Sequence, residues 1–401
     1  IASSAEATDT QSCYALIRNS DDTRELYAWG YNGYGQLGQG NTNNYSVPTL
    51  IPQGYFHNKK VVDVWGSGYS YQKAYAITED GYMYSWGYNG EGALGLGDFY
   101  NKYRPERVPY NWKQFGGIKK SIRQGSAGED AHVVLCNDGS LHMCGNIGDG
   151  SYPIYGAGTT MDTYVPRFVP MAQTLFARAN SLGIKSNTVG ALVDVSRNCE
   201  DFWYISRADA FHLIFMKEKG TGLIYHVGHS NSSIPIFDRD RISGEYYGDN
   251  PYEINNHAFP TRVATGPMTD IKYINFPGNS SNYSVVFQNS DGRLWTNGYN
   301  SSGYAMRGIG VNYDTAQHRR MGKLPFETYW TDYSPTQPRW NEPIQMIYGI
   351  AEDSTCGLAV ITSNNRLLWI GGTFSWYYGF DSSNPWSQTG GGVRNFARLD
   401  C

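Results

Sequence analysis

A twelve-residue pattern occurs twice in this chain: Trp-Gly-Tyr-Asn-Gly-x-Gly-x-Leu-Gly-x-Gly runs from Trp29 to Gly40 and again from Trp86 to Gly97. A repeat constrains a fold more than composition does, because a recurring unit is one supersecondary element copied and stacked on its neighbours. Each copy follows a short apolar strand, and its glycines, among them Gly30, Gly38, Gly87 and Gly95, permit left-handed or closely packed backbone. Weaker echoes mark the rest of the chain: LHMCGN at Gly145, LIYHVGHSN at Gly228, RLWTNGYNSSGYAM at Gly298 and LLWIGGTFSWYYG at Gly371. Each ends an alternating apolar hairpin with a tight turn, as in AYAITEDGYMYSWG and VVLCNDGSLHMCG, so six hairpins of one kind are predicted.

The marker glycines are spaced 57, 58, 83, 70 and 73 residues apart. Upstream of the hairpins lie further short strands, such as VVDVWGSG (61–68), IKKSIRQG (118–125) and IQMIYGI (344–350). The last of this kind, VRNFARLDC, ends the chain, while CYALIRNSDDTRELYAWG, the hairpin it is expected to pair with, opens it. Units of four short strands, arranged radially and sealed by pairing the termini, describe a β-propeller, which leaves only short, protected edges.

The Trp-Gly-x-Asn-x-x-Gly-Gln-Leu-Gly-x-Gly pattern, with a Thr-x-Asp-Gly-type hairpin before it and Pro48 or Pro105 after it, resembles the repeat of the regulator of chromosome condensation family. The first two copies match specifically. The third, fifth and sixth are degenerate, and the fourth keeps little beyond Gly228 and its strand. Members of that family usually have seven blades, and six units are counted here. The expected fold is all-β: one closed β-propeller over residues 1–401, of six four-stranded blades or of seven if one has lost its signature, with the N- and C-terminal strands paired.

Charged residues make up 17% of the chain and aromatics 15%, against roughly 25% charged in an average soluble domain. The surface is therefore rich in Tyr, Asn, Ser and Gly, the residue types that antibody loops use for contact. A net charge of −4 and no basic stripe argue against nucleic acid as a partner; KKSIR (119–123) and HRR (318–320) are the densest basic spots. No run approaches the ~18 apolar residues of a membrane span, so no membrane insertion is expected. The chain opens on Ile1 rather than Met, which suggests a processed or excerpted sequence.

Catalytic and metal-binding constellations are weak. His226 and His229 stand three apart, which on a strand points them to opposite faces. Carboxylates in FDRDR (237–241) and from Glu245 to Asp249 lack the one-three-five spacing of a calcium loop. No Gly-x-Ser-x-Gly or phosphate-binding loop is present. We expect no cofactor, no metal and no enzymatic activity. Sequons at Asn44, Asn231, Asn279, Asn282 and Asn300 show only that glycosylation is possible. Folding the third hairpin about Asn137–Ser140 sets Cys136 opposite Leu141 and Cys144 opposite Val133, so these two are not expected to pair. Aligning the terminal segments with the second unit places Cys13 and Cys401 on adjacent strands, where a disulfide clasp is expected.

Two groups of site residues follow. Trp29, Gly30, Leu37 and Gly38, with Trp86, Gly87, Leu94 and Gly95, are expected to be structural and to pack between blades. The surplus length of units three to five falls after the marker glycine, in insertions at about 146–190, 229–270 and 299–343. These are expected to form one crown of binding loops carrying Tyr152, Tyr155, Tyr164, Tyr246, Tyr247, Tyr252, Tyr313, Tyr329, Trp330, Tyr333 and Trp340. The leading functional expectation is a non-catalytic binding propeller, extracellular or on a virus particle in the manner of a phage tail. Its partner would be a protein or surface-glycan receptor, or neighbouring structural proteins. The resemblance implies a second reading, an intracellular exchange factor for the small GTPase Ran. A third is a secreted inhibitor, since a bacterial β-lactamase inhibitor shares this kind of propeller.

Overall fold

The computed structural model describes residues 2–4, 12–67, 72–123, 131–146, 164–173, 175, 194–207, 211–229, 256–262, 270–275, 284–290, 294–298, 322–323, 344–352, 355–365, 367–371 and 393–398. They hold twenty-four strands in six antiparallel sheets of four. The first sheet is β1 (Ala2–Ser4), β2 (Ser12–Arg18), β3 (Arg24–Gly30) and β4 (Tyr45–Leu50). The second is β5 (Val61–Ser67), β6 (Lys73–Thr78), β7 (Met83–Gly87) and β8 (Lys102–Arg107). The third is β9 (Ile118–Arg123), β10 (Ala131–Cys136), β11 (Leu141–Asn146) and β12 (Tyr164–Pro170). The fourth is β13 (Cys199–Arg207), β14 (Phe211–Glu218), β15 (Ile224–His229) and β16 (Asn256–Arg262). The fifth is β17 (Ile271–Asn275), β18 (Ser284–Asn289), β19 (Leu294–Gly298) and β20 (Gly322–Lys323). The sixth is β21 (Ile344–Glu352), β22 (Thr355–Thr362), β23 (Leu367–Gly371) and β24 (Val393–Arg398).

Every marker glycine lies on the third strand of its sheet, and strands pair in chain order within each sheet. The chain falls into two compact units, residues 1–229 with 256–261 and residues 230–255 with 262–401. One expected pairing is replaced. The C-terminal strand β24 pairs with β23, matching Leu368 with Arg398 and Gly371 with Val393. The slot beside β2 is filled locally by β1, with Ser3 opposite Cys13. The two ends thus each complete their own sheet, and residues 2–4 supply the strand that the sequence reading had assigned to the C-terminus.

The hairpin turns explain a register difference. Cys136 N–H donates to Ser140 O, and Gly139 N–H donates back to Cys136 O. The loop therefore has three residues, with Gly139 in the left-handed region (φ 95°) after a type I-like turn, and not two. Leu141 faces Leu135, and Cys144 faces His132, one position away from the sequence reading. Thr78 and Tyr82 close the same loop in the second sheet, with Gly81 at φ 81°, whereas Asp22 takes the left-handed position in the first (φ 64°). In both the first and third turns an aspartate side chain accepts the N–H two residues on, Asp21 from Thr23 and Asp138 from Ser140.

The core of the first unit lies between consecutive sheets. Tyr14, Leu26, Ala28 and Leu37 meet Phe56, Ala74, Tyr84 and Trp86 between sheets one and two. Trp65, Tyr75, Leu94, Val134, Cys144 and Phe168 fill the space between sheets two and three. Val133, Leu135, Met143, Phe202, Tyr204, Ile214 and Val227 do so between three and four. Because each inner strand is covered on both faces, β6, β7, β10 and β11 are almost continuously buried instead of alternating.

Candidate interaction surface

The repeated pattern forms the connection from third to fourth strand, residues 31–44 in the first sheet and 88–101 in the second. Its centre is a fully buried asparagine. Asn32 Nδ2 donates to the carbonyls of Asn41 and Asn43, both at 2.9 Å, and its Oδ1 accepts Leu37 N–H at 2.8 Å. Asn89 repeats this, donating to Asp98 O and accepting Leu94 N–H. The backbone N–H groups of both asparagines are in turn held by Asn44 and Asn101. A carboxamide is suited to this position because it offers donors and acceptors together, and each orphaned backbone group here would cost about 1–3 kcal/mol.

The loop is then fastened to the following sheet. Gly40 N–H donates to Tyr103 O on β8, and Gly97 N–H donates to Pro166 O on β12, each at 2.7 Å. A side chain at Gly35 or Gly92 would meet the backbone Cα of Tyr103 or Pro166 at 2.7 Å, so glycine is required by close approach as well as by positive φ. Trp86 Nε1 donates to Gln36 O at 2.7 Å and the Tyr14 hydroxyl to the same carbonyl at 2.8 Å. One repeat later, Cys144 Sγ and the Tyr75 hydroxyl converge on Ala93 O.

Trp86, Leu37 and Leu94 are wholly buried between sheets. Trp29, at the equivalent place on β3, is half-buried; among the described residues no repeat loop precedes the first sheet to cover it. Gly30, Gly38, Gly87 and Gly95 all take positive φ. Asn32 and Asn89 lie inside the repeated pattern, but apolar spacing gives no hint of their role; the signal is a polar residue shared by both copies of a glycine-rich connection.

Above these clasps lies an aromatic cluster, in which Tyr34 meets Tyr31 and Tyr88 edge to face. Beneath it, Lys73 is buried with its ammonium 5.4 Å from the Tyr88 ring centre. Ser12 Oγ and Gln36 Nε2 both donate to Gln72 Oε1. These groups are spent on one another and rigidify the loop bases.

Of the eleven residues expected in the crown, only Tyr164 falls among the described residues, as the exposed first residue of β12. Tyr152, Tyr155, Tyr246, Tyr247, Tyr252, Tyr313, Tyr329, Trp330, Tyr333 and Trp340 lie outside them. The described strands nevertheless divide the insertions. In the third unit the connection 147–163 is scarcely longer than 31–44, and the surplus falls in 171–198, after the fourth strand; the strand expected from Leu192 begins at Cys199. In sheets four to six the third-to-fourth connections are 230–255, 299–321 and 372–392. Tyr329, Trp330, Tyr333 and Trp340 belong to 324–343, after β20. Successive connections of an antiparallel sheet leave from opposite ends, so the aromatics belong to two kinds of connection where one was expected.

Cys13 is a free thiol, and its neighbour across the sheet is Ser3; Cys401 lies outside the described residues, so the expected clasp gains no support. Burial pushes the Cys136 and Cys199 thiols up to about 12 and raises Cys144 well above the ordinary thiol value, which removes nucleophilic character at neutral pH. His226 and His229 both lie within β15. Buried His142 is held at about 4, chiefly by desolvation, between the hydroxyls of Tyr110 and Ser140.

Residues 25–72 and 80–135 match the profile of the Regulator of chromosome condensation (RCC1) repeat. The chain is 31% identical over 153 residues to the Ultraviolet-B receptor UVR8 of Arabidopsis thaliana, covering 38% of this chain and 32% of that protein. It is 33% identical over 126 residues to the human X-linked retinitis pigmentosa GTPase regulator, covering 31% and 11%. With human E3 ubiquitin-protein ligase HERC2 it shares 40% identity over 146 residues, covering 36% and 3%. The chain thus spans about a third or less of each of these relatives. Among solved structures, human WBSCR16 superposes with a TM-score of 0.60 at 14% identity, over 100% of this chain and 81% of that one. Yeast RCC1 (Prp20), solved bound to Kap60, gives 0.57 at 15% identity, over 97% and 73%. These likenesses concern the all-β fold of four-stranded antiparallel sheets alone.

Proposed function

We propose that the chain is a non-catalytic protein-binding module, its six sheets the blades of one closed propeller, and that its partner meets the third-to-fourth connections of the fourth to sixth sheets. One observation carries this. Segments 230–255, 299–321 and 372–392 exceed the equivalent connections of the two RCC1 repeats, and the first two carry Tyr246, Tyr247, Tyr252 and Tyr313. In sheets one and two the same connection is consumed by fastening neighbouring sheets together. Prp20p of Saccharomyces cerevisiae, a protein of similar fold that binds Gsp1p and histones, supports a protein partner. The charge-poor, Tyr- and Asn-rich composition supports an exterior setting, such as a receptor-binding or assembly surface on a virus particle or cell. The four free thiols among the described residues favour a second reading, an intracellular regulator in a reducing compartment. The test is capture of a partner from the native source by the immobilised chain. Tyr247→Ala and Tyr313→Ala should abolish capture with folding intact. Hydrogen-exchange protection confined to residues 31–118 would exclude this surface.

A further inference from the structure

We infer that the outer edge of the second sheet is a docking surface for an acidic segment of a protein partner, recognised by Arg104, Arg107 and Lys113. This rests on the reading of the chain as a binding module but concerns a separate surface. All three cations are exposed and are held by tyrosine rings rather than by carboxylates. The Arg107 guanidinium lies 3.4 Å from the centre of the Tyr82 ring, and the Lys113 ammonium stands 5.2 Å from the same ring. Arg104 stands 5.9 Å from the Tyr55 ring. Tyr55 and Tyr82 are partly buried against the core between sheets one and two, so the platforms are fixed.

Among the described residues none of the three cations has an ion-pair partner, and the nearby acids are engaged elsewhere. Asp98 and Glu106 both face Lys102, at 2.8 and 3.8 Å, and Asp80 accepts from the Thr78 hydroxyl. Two cations over one ring repel each other, and an incoming carboxylate relieves that repulsion. A guanidinium held over a ring face can still offer its planar fork of N–H donors to a bidentate carboxylate.

The surroundings specify more than charge. Phe99, Tyr100 and Tyr103, 46%, 76% and 46% exposed, lie just before and within the same strand and suit an apolar side chain between the acids. Pro105, buried at the middle of β8, has no N–H to offer an added strand, so recognition runs through side chains. Nucleic acid fits less well, because three cations with Glu106 among them neutralise few phosphates in a chain of net charge −4.

The probe is a fluorescein-labelled twelve-residue peptide alternating Glu with Asp and carrying one central Phe, read by anisotropy against a single-stranded thymidine oligonucleotide. The unaltered chain should bind the peptide with a Kd below about 100 µM, weakening with salt. Arg104→Gln with Arg107→Gln should lower affinity at least about tenfold at unchanged thermal midpoint, and Arg107→Lys should lose part of it although charge is kept. Peptide binding that is absent, that is equal in the double variant, or that is weaker than oligonucleotide binding overturns the proposal. Tyr247→Ala and Tyr313→Ala should leave peptide binding unchanged, so this surface and the loop surface stand or fall separately.

Discussion

The carbonyl of Gln36 accepts two hydrogen bonds from different sheets, one from the Tyr14 hydroxyl and one from the Trp86 indole. Replacing Tyr14 by Phe removes one donor, and replacing Trp86 by Phe removes the other while keeping a ring between Tyr14 and Phe56. Each single change leaves the carbonyl satisfied, so each costs about 1 kcal/mol for the lost bond. Trp86→Phe adds about 1 kcal/mol for lost apolar burial. The double variant strands a buried carbonyl, whose desolvation costs a further 1–3 kcal/mol or so. The size term cancels in a double-mutant cycle, which leaves a coupling energy of about 2 kcal/mol. Urea unfolding of the four proteins, compared at unchanged slope, measures it. Additivity within about 0.5 kcal/mol would falsify the shared-acceptor account.

Other outcomes follow from the same geometry. Asn89→Ala frees Leu94 N–H and Asp98 O in a buried site and should cost about 3 kcal/mol by urea unfolding; a loss below about 0.5 kcal/mol would show that the loop re-satisfies itself. Gly92→Ala, at φ 76° with Pro166 Cα in the way, should cost more than about 2 kcal/mol, whereas exposed Gly54→Ala should be nearly neutral by the same assay. His142 is neutral in the fold down to about pH 4, while the unfolded chain protonates it below its ordinary value near 6.5. Stability should therefore fall as pH drops from above 6.5 towards 4, by about 3 kcal/mol at most, and His142→Gln should flatten that slope in acid titrations of the urea midpoint.

The strand framework was legible because hairpin periodicity and marker glycines are local signals, and all six third strands end at or beside the glycines chosen. Register was legible only to within one residue. Asn137-Asp138-Gly139 reads as easily as a two-residue loop as a three-residue one, and the choice depends on whether Gly139 takes a left-handed φ. The terminal pairing failed for a different reason. Residues 2–4 are too short and polar to announce a strand, yet they sit beside β2 and exclude the C-terminal segment. Measuring surplus length from glycine to next strand concealed β12, β16 and β20, so it merged connections that leave opposite ends of a sheet. The fastening role of Asn32 and Asn89 needed partners nine to twelve residues away, which no periodicity reveals.

The order in which the loops are fastened bears on synthesis. Residues 31–44 take part of their anchorage from Trp86 and Tyr103, and residues 88–101 take part of theirs from Cys144 and Pro166, all of them later in the chain. A chain emerging from the ribosome therefore carries a first hairpin whose glycine loop lacks its later partners, and the slot for Trp86 stays open until that residue arrives. Domains generally form as units from the N-terminus during translation. Here the first two units are each latched by the one behind, so a pause before residue 86 would leave the Gln36 carbonyl without its indole donor and the Leu37 side chain uncovered, and a translation stall there would be the stage most exposed to misassembly.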